Sequence, residues 1–156
     1  MKTLDSILVS CGQLDLIYDG KSGLHLWRAV HKDNLETNPL YPDFYPREVR
    51  GAFRRPDITI KKIGGIEYVE SELVKGTSLF DKTGTFGFSN FEYFEIPAGT
   101  EIPHGLIIIK GEFNKKYNAT HYTICPNQRM RKDSFIVLLD KLALNARMKK
   151  GLKKNG

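Results

Sequence analysis

The chain has 156 residues, 40% of them hydrophobic and 27% charged, and carries 24 lysines and arginines against 18 aspartates and glutamates for a net charge of +6. This length holds one domain with a real core and excludes a multidomain machine, and the composition excludes a disordered or collagen-like chain. The basic balance points to a nucleic acid, a phosphate-bearing small molecule or an acidic protein as partner, without choosing among them.

Two cysteines, Cys11 and Cys125, are too few for a disulfide framework and suit a reducing cytoplasm. No apolar run reaches the roughly 18 residues of a membrane span, so no membrane role is expected. Leu8-Val9-Ser10-Cys11 imitates a lipoprotein cleavage box, but Asp5 and Ser6 interrupt the apolar run before it. No cleavable signal peptide is therefore expected.

In chain order, Leu4, Ile7, Leu8 and Cys11 have helical spacing, which predicts a short N-terminal helix ending at Gly12. Leu24 to His31 reads as a strand, with Arg28 sharing a face with Leu24, Leu26 and Val30. Residues 32–56 carry four prolines and read as a long loop. Asp57 to Ile63, Gly64-Gly65 and Ile66 to Val69 predict a hairpin.

Gly76-Thr77-Ser78 reads as a tight turn opening a turn-rich middle section. Strands are expected at Phe91–Ile96, at Leu106–Ile109 and at Ala119–Ile124, the last with His121 and Tyr122 on opposite faces. Phe135, Leu138, Leu139, Leu142 and Ala146 predict a helix capped by Asp133 or Ser134. The lysine-rich residues 147–156 read as a frayed tail. The sum is one α+β domain over 1–156, with a mixed, mainly antiparallel sheet and helices at both ends.

Local motifs alone assign no chemistry. Asp81-Lys82-Thr83-Gly84-Thr85 imitates the phosphorylated string of ion pumps, but no membrane helices or doubly wound domain accompany it. It reads as a charged turn. There is no dinucleotide fingerprint, Walker loop or metal-ligand spacing. Arg28 among aliphatic residues needs a partner, either a structural ion pair or an anion such as phosphate. Arg54 and Arg55 either join it or lie on a solvated loop. Thr77 and Ser78 are either turn caps or hydroxyls for a sugar. His121 by itself is an ordinary strand histidine.

Together the segments resemble a family. Leu24-x-Leu26-Trp27-Arg28-Ala29-Val30, Arg54-x-Pro56-Asp57-Ile58, Gly76 to Asp81, and Ile96-Pro97-x-Gly99-Thr100-x-Ile102-Pro103 occur in order. Asn114-Lys115, Ala119-Thr120-His121-Tyr122-Thr123-Ile124-x-Pro126, Leu139-Asp140 and Asn145-Ala146 follow. This series is similar to the type VI secretion exported toxins with an ADP-ribosyltransferase-like fold, over about residues 24–146.

The resemblance implies a split sheet with a cleft for NAD as substrate. It also implies transfer of ADP-ribose in the cytoplasm of a recipient cell to an acceptor left open, a macromolecule (protein or nucleic acid) or water by hydrolysis of NAD, and neutralisation by an immunity protein. A basic cleft calls for an acidic immunity partner, meeting the 41–55 loop or the Thr77-Ser78 turn. By analogy Arg28, supported by Arg54, clamps the pyrophosphate. Ser78 and Thr77 bond the nicotinamide-side ribose, His121 contacts the adenine-side or ribose hydroxyls, and Tyr122 or a tyrosine of the 41–45 loop stacks on nicotinamide. The sequence departs from the arginine–serine–glutamate transferases in having His121 and Tyr122 where their glutamate belongs. Two further readings follow from the same residues: a basic nucleic-acid-binding or nucleolytic toxin, and a non-catalytic module on the same fold.

Overall fold

The computed structural model describes residues 17–35 and 37–155. Among these are eleven short strands and one long helix. β1 (Ile17–Tyr18), β2 (Leu26–His31), β7 (Thr77–Phe80), β8 (Phe91–Ile96), β9 (Leu106–Asn114) and β10 (Ala119–Pro126) form one sheet in the order β1-β9-β10-β7-β2-β8. β5 (Ile60–Ile63), β6 (Ile66–Val69) and β11 (Met130–Arg131) form a second sheet, and β3 (Arg47–Val49) with β4 (Ala52–Arg54) a third. The sheet is therefore split. Every strand pairing among the described residues is antiparallel, so the parallel component of the expected mixed sheet is missing there.

The helix α1 spans Lys132–Asn155. Phe135, Leu139, Leu142, Ala143 and Ala146 recur at helical spacing and are fully buried. They pack with Leu26, Leu79, Ile96, Ile108, Tyr122 and Ile124 of the large sheet in one core. Each such aliphatic or aromatic side chain contributes about 1.5–3 kcal/mol on burial. The sheet face toward this core is here called the inner face. Alternation puts Ile107, Ile109 and Cys125 on the other, outer face, where they form a separate buried cluster.

Several expectations change. The basic stretch from residue 147 is drawn into α1 as far as Asn155 rather than fraying. The supposed loop 32–56 contains a 3-10 turn at Lys32–Asn34 and the β3–β4 hairpin. Arg50 and Gly51 turn that hairpin with φ of 52° and 77°, the left-handed pair that a two-residue hairpin needs. Gly64 and Gly65 turn β5 into β6 in the same way, as the sequence predicts.

The expected turn at Thr77-Ser78 is instead strand β7, at the centre of the sheet. Gly76 precedes it because a Cβ there would lie 1.9 Å from the Ile124 carbonyl oxygen. The glycine permits a close backbone approach, not a turn. The N-terminal helix expected at residues 4–11 lies outside the described residues. No helix among the described residues is long and apolar enough to cross a membrane.

Candidate functional site

Strand register sorts the sequence-predicted residues onto two faces. Tyr122 pairs with Leu79 and Ile124 with Thr77, so Tyr122 and Thr77 share the inner face with the core. His121 pairs with Phe80 and Thr123 with Ser78, so His121 and Ser78 share the outer face. Trp27 pairs with Phe80 and joins them, whereas Arg28, one residue on, faces inward. Arg54 stands apart, on the β3–β4 hairpin.

The inner-face groups are committed to the fold. Arg28 donates through Nε to the Pro39 carbonyl at 3.2 Å, through Nη1 to the Ser78 carbonyl at 3.2 Å, and through Nη2 to the Tyr41 carbonyl at 3.4 Å. Burial lowers its pKa, opposed by the nearby Asp57 and Asp43 carboxylates. Buried Thr77 donates through Oγ1 to the Leu40 carbonyl at 2.6 Å. Arg28 and Thr77 thus seat the segment 39–41 against the sheet.

The far side of that segment is held by α1. Asp140 accepts from the Tyr41 hydroxyl at 2.7 Å and from Asn38 Nδ2 at 2.8 Å. Burial and this bond push the Tyr41 phenol up to about 12. Asn145 Nδ2 donates to the Glu101 carbonyl at 3.0 Å. The Asp140 and Asn145 matches therefore mark loop anchors.

Tyr122 is 4% exposed and stacks on Tyr18 at a ring separation of 6.0 Å. Burial, then Tyr18, pushes its phenol up to about 12. Arg54 is exposed and pairs with Asp43 at 3.4 Å and Asp57 at 3.9 Å. Asp81 of the pump-like string accepts from the Thr120 N–H at 2.8 Å, a structural bond within the charged turn that the sequence predicts.

The outer face differs. Neither the Ser78 hydroxyl nor the His121 imidazole makes a hydrogen bond with a described residue, and both are partly exposed. Ser78 lies one diagonal step from His121 across β7–β10, a separation of roughly 7–8 Å between Cα atoms in such pairs. The Phe80 ring sits 5.4 Å from the His121 ring. β10 slips its register against β9 between Thr120 and Tyr122, so His121 lies at a bulge, a device common beside active sites.

Gly111 of β9 makes room there. A Cβ on it would lie 3.0 Å from the His121 carbonyl oxygen and 3.3 Å from Nδ1. Burial lowers the His121 pKa and so favours the neutral imidazole, which has a ring nitrogen free to accept a hydrogen bond. Sequence reading named His121 and Ser78 as candidates but did not place Gly111, Trp27 and Phe80 beside them. A bulge depends on pairing with a partner strand and leaves no local signal.

On this face His121 and Ser78 are partly exposed, whereas Thr123, Ile109 and Cys125 are buried. Two clefts lie elsewhere. One of about 370 Å³ lies between the β5–β6 turn and the start of α1, and one of about 250 Å³ lies beside Pro39 and Phe94. Neither is lined by Arg28, Ser78 or His121.

Comparison with known proteins decides the family. The family model described as Tse2 ADP-ribosyltransferase toxin matches residues 9–151. The chain belongs to the Tse2 ADP-ribosyltransferase toxin family. It is 34% identical over 136 residues to the toxin Tse2 of Pseudomonas aeruginosa, covering 83% of this chain and 80% of that protein. Like the Tse2 family it joins, it is an antibacterial toxin and an enzyme of the ADP-ribosyltransferase class, which matches the resemblance to type VI secretion effectors.

Proposed function

We propose that the chain transfers ADP-ribose from NAD to a macromolecular acceptor, on an ADP-ribosyltransferase-like fold, at the outer sheet face around His121 and Ser78. The observation that supports this face is the pair of uncommitted polar groups beside Trp27 and Phe80. Arg28 and Thr77 are already bonded to carbonyls and Tyr122 is in the core. In this reading they are positioning residues. Arg28 holds the Ser78 carbonyl and so fixes the backbone that carries the hydroxyl.

Transfer breaks the nicotinamide–ribose bond through an oxocarbenium-like state, as in glycoside cleavage. Ser78 donates to a ribose hydroxyl. The neutral His121 imidazole accepts a hydrogen bond from a second ribose hydroxyl, or the proton of the attacking acceptor. Trp27 and Phe80 supply apolar surface for the nicotinamide ring. Arg54, paired with Asp43 and Asp57 on its exposed hairpin, would have to exchange these partners to meet an acidic group outside the chain.

The toxin acts after delivery into the cytoplasm of a recipient cell, and an acidic immunity protein neutralises it in the producer. The β3–β4 hairpin is the proposed meeting point. Four of the eight arginines of the chain, Arg47, Arg50, Arg54 and Arg55, fall within residues 47–55.

The test is NAD titration by calorimetry with nicotinamide release as the second readout. Ser78→Ala and His121→Ala are expected to fold normally and to lower release at least tenfold. Full release from both variants would move the site off this face. Absence of NAD binding by the folded chain would favour the non-catalytic reading.

A further inference from the structure

Two loops far apart in sequence meet beside His121. Residues 82–90 follow β7, and residues 115–118 join β9 to β10. Phe86 of the first packs on Tyr117 of the second with ring centroids 4.9 Å apart. Phe80 touches both rings, at 5.7 Å and 6.3 Å, and touches His121 as well. The result is a continuous aromatic surface that runs from the candidate site outward.

This surface is open and basic. Phe88 is 64% exposed and Phe86 39% exposed, both large for phenylalanine. Phe88 is held by Tyr93 at 5.2 Å and lies over Gly84, whose Cβ would meet its ring at 2.8 Å. Lys82, Lys115 and Lys116 are exposed on the same two loops, and none makes an ion pair with a described residue. Lys116 rests only on the Tyr117 ring, at 5.4 Å. Of the nearby carboxylates, Asp81 is occupied by the Thr120 N–H and Glu112 lies on β9 near the bulge.

We infer that the Lys82, Phe86, Phe88 and Lys115–Tyr117 surface is the acceptor-binding surface of the enzyme and that its acceptor is a single-stranded nucleic acid. Exposed rings interleaved with unpaired lysines suit stacked bases on a charged backbone, because each base offers a ring face and each phosphate a charge. A folded acidic protein would meet the lysines but would leave Phe88 without a stacking partner. The inference rests on the proposed site at His121.

In the reaction the ribose C1′–nicotinamide bond breaks, and its electron pair enters the pyridinium ring, which leaves as neutral nicotinamide. A base nitrogen or a hydroxyl oxygen of the acceptor bonds to C1′. Its proton passes to His121 and then to water.

The experiment measures anisotropy of labelled twelve-nucleotide single-stranded RNA and DNA with the whole chain, alongside label transfer from radioactive NAD and nicotinamide release into water. Three phosphate contacts imply a salt slope near −2, so binding falls about 20-fold between 50 and 200 mM salt. Phe88→Ala is expected to weaken binding about tenfold. The triple variant Lys82→Glu, Lys115→Glu, Lys116→Glu is expected to abolish binding, and both variants keep nicotinamide release. RNA bound in preference to DNA, or the reverse, identifies which strand the surface takes.

No binding by the folded chain overturns the inference. So does binding that ignores these variants, or binding that an acidic polypeptide competes away regardless of Phe88. Those results leave the transferase reading standing if release persists. Oligonucleotide binding without any nicotinamide release instead overturns the transferase reading and, with it, the acceptor role.

Discussion

Arg28 offers the sharpest test of how the site is divided. If it clamped pyrophosphate, Arg28→Ala would lower NAD affinity and leave stability intact. The geometry predicts the opposite. The substitution removes a charged donor from the carbonyls of Pro39, Tyr41 and Ser78, at 3.2–3.4 Å. Bonds from charged groups contribute about 1.5–3 kcal/mol at good geometry. These are long, and water reaches part of the region, so about 1 kcal/mol each is the better figure, or about 3 kcal/mol in all.

At this chain length each kcal/mol moves the thermal midpoint by about 2–4 °C, so Arg28→Ala should lower it by about 6–12 °C. Arg28→Lys has one ammonium for three acceptors and should recover less than half of the loss. The assay is thermal and urea denaturation together with NAD titration below the transition. An unchanged midpoint with lost NAD binding would refute this reasoning and return Arg28 to the ligand.

Three more outcomes follow from the same structure. Gly76→Ala drives a Cβ into the Ile124 carbonyl and should cost about 3 kcal/mol or more in urea unfolding, whereas Gly151→Ala, in open space on α1, should stabilise by about 0.5–1 kcal/mol. His121 has a lowered folded pKa, so the unfolded chain binds more protons in mild acid, and stability should fall as pH drops below about 6.5. His121→Gln should flatten that part of a pH series of denaturation midpoints, and an unchanged slope would deny the burial of the imidazole. Burial pushes the Cys125 thiol up to about 12, so peptide mapping after brief native alkylation should find it unmodified at pH 8. Rapid labelling would show that β10 opens.

The sequence by itself determined the elements whose signal is local. The glycine pair between β5 and β6, the strand runs of β8 and β10, and the buried stripe of α1 each follow from local composition, turn chemistry or 3.6-residue periodicity. It also determined the family, because ordered blocks survive without knowledge of the fold. It named Arg28, Thr77, Ser78, His121 and Tyr122 as candidates, but not which sheet face each occupies.

Tertiary structure decided that division. Neighbouring strand positions point to opposite faces, and pairing alone decides which face meets α1. Thus Thr77 and Ser78, adjacent in sequence, end up on opposite faces, one bonded to Leu40 and one uncommitted. Gly76 resembles a turn former until the Ile124 carbonyl is beside it. Arg50 gives no turn signal because arginine seldom takes a positive φ, yet the β3–β4 pairing holds it there. The bulge at His121, its glycine neighbour and the aromatic surface around Phe86 all join residues from separate segments, so only the folded chain brings them together.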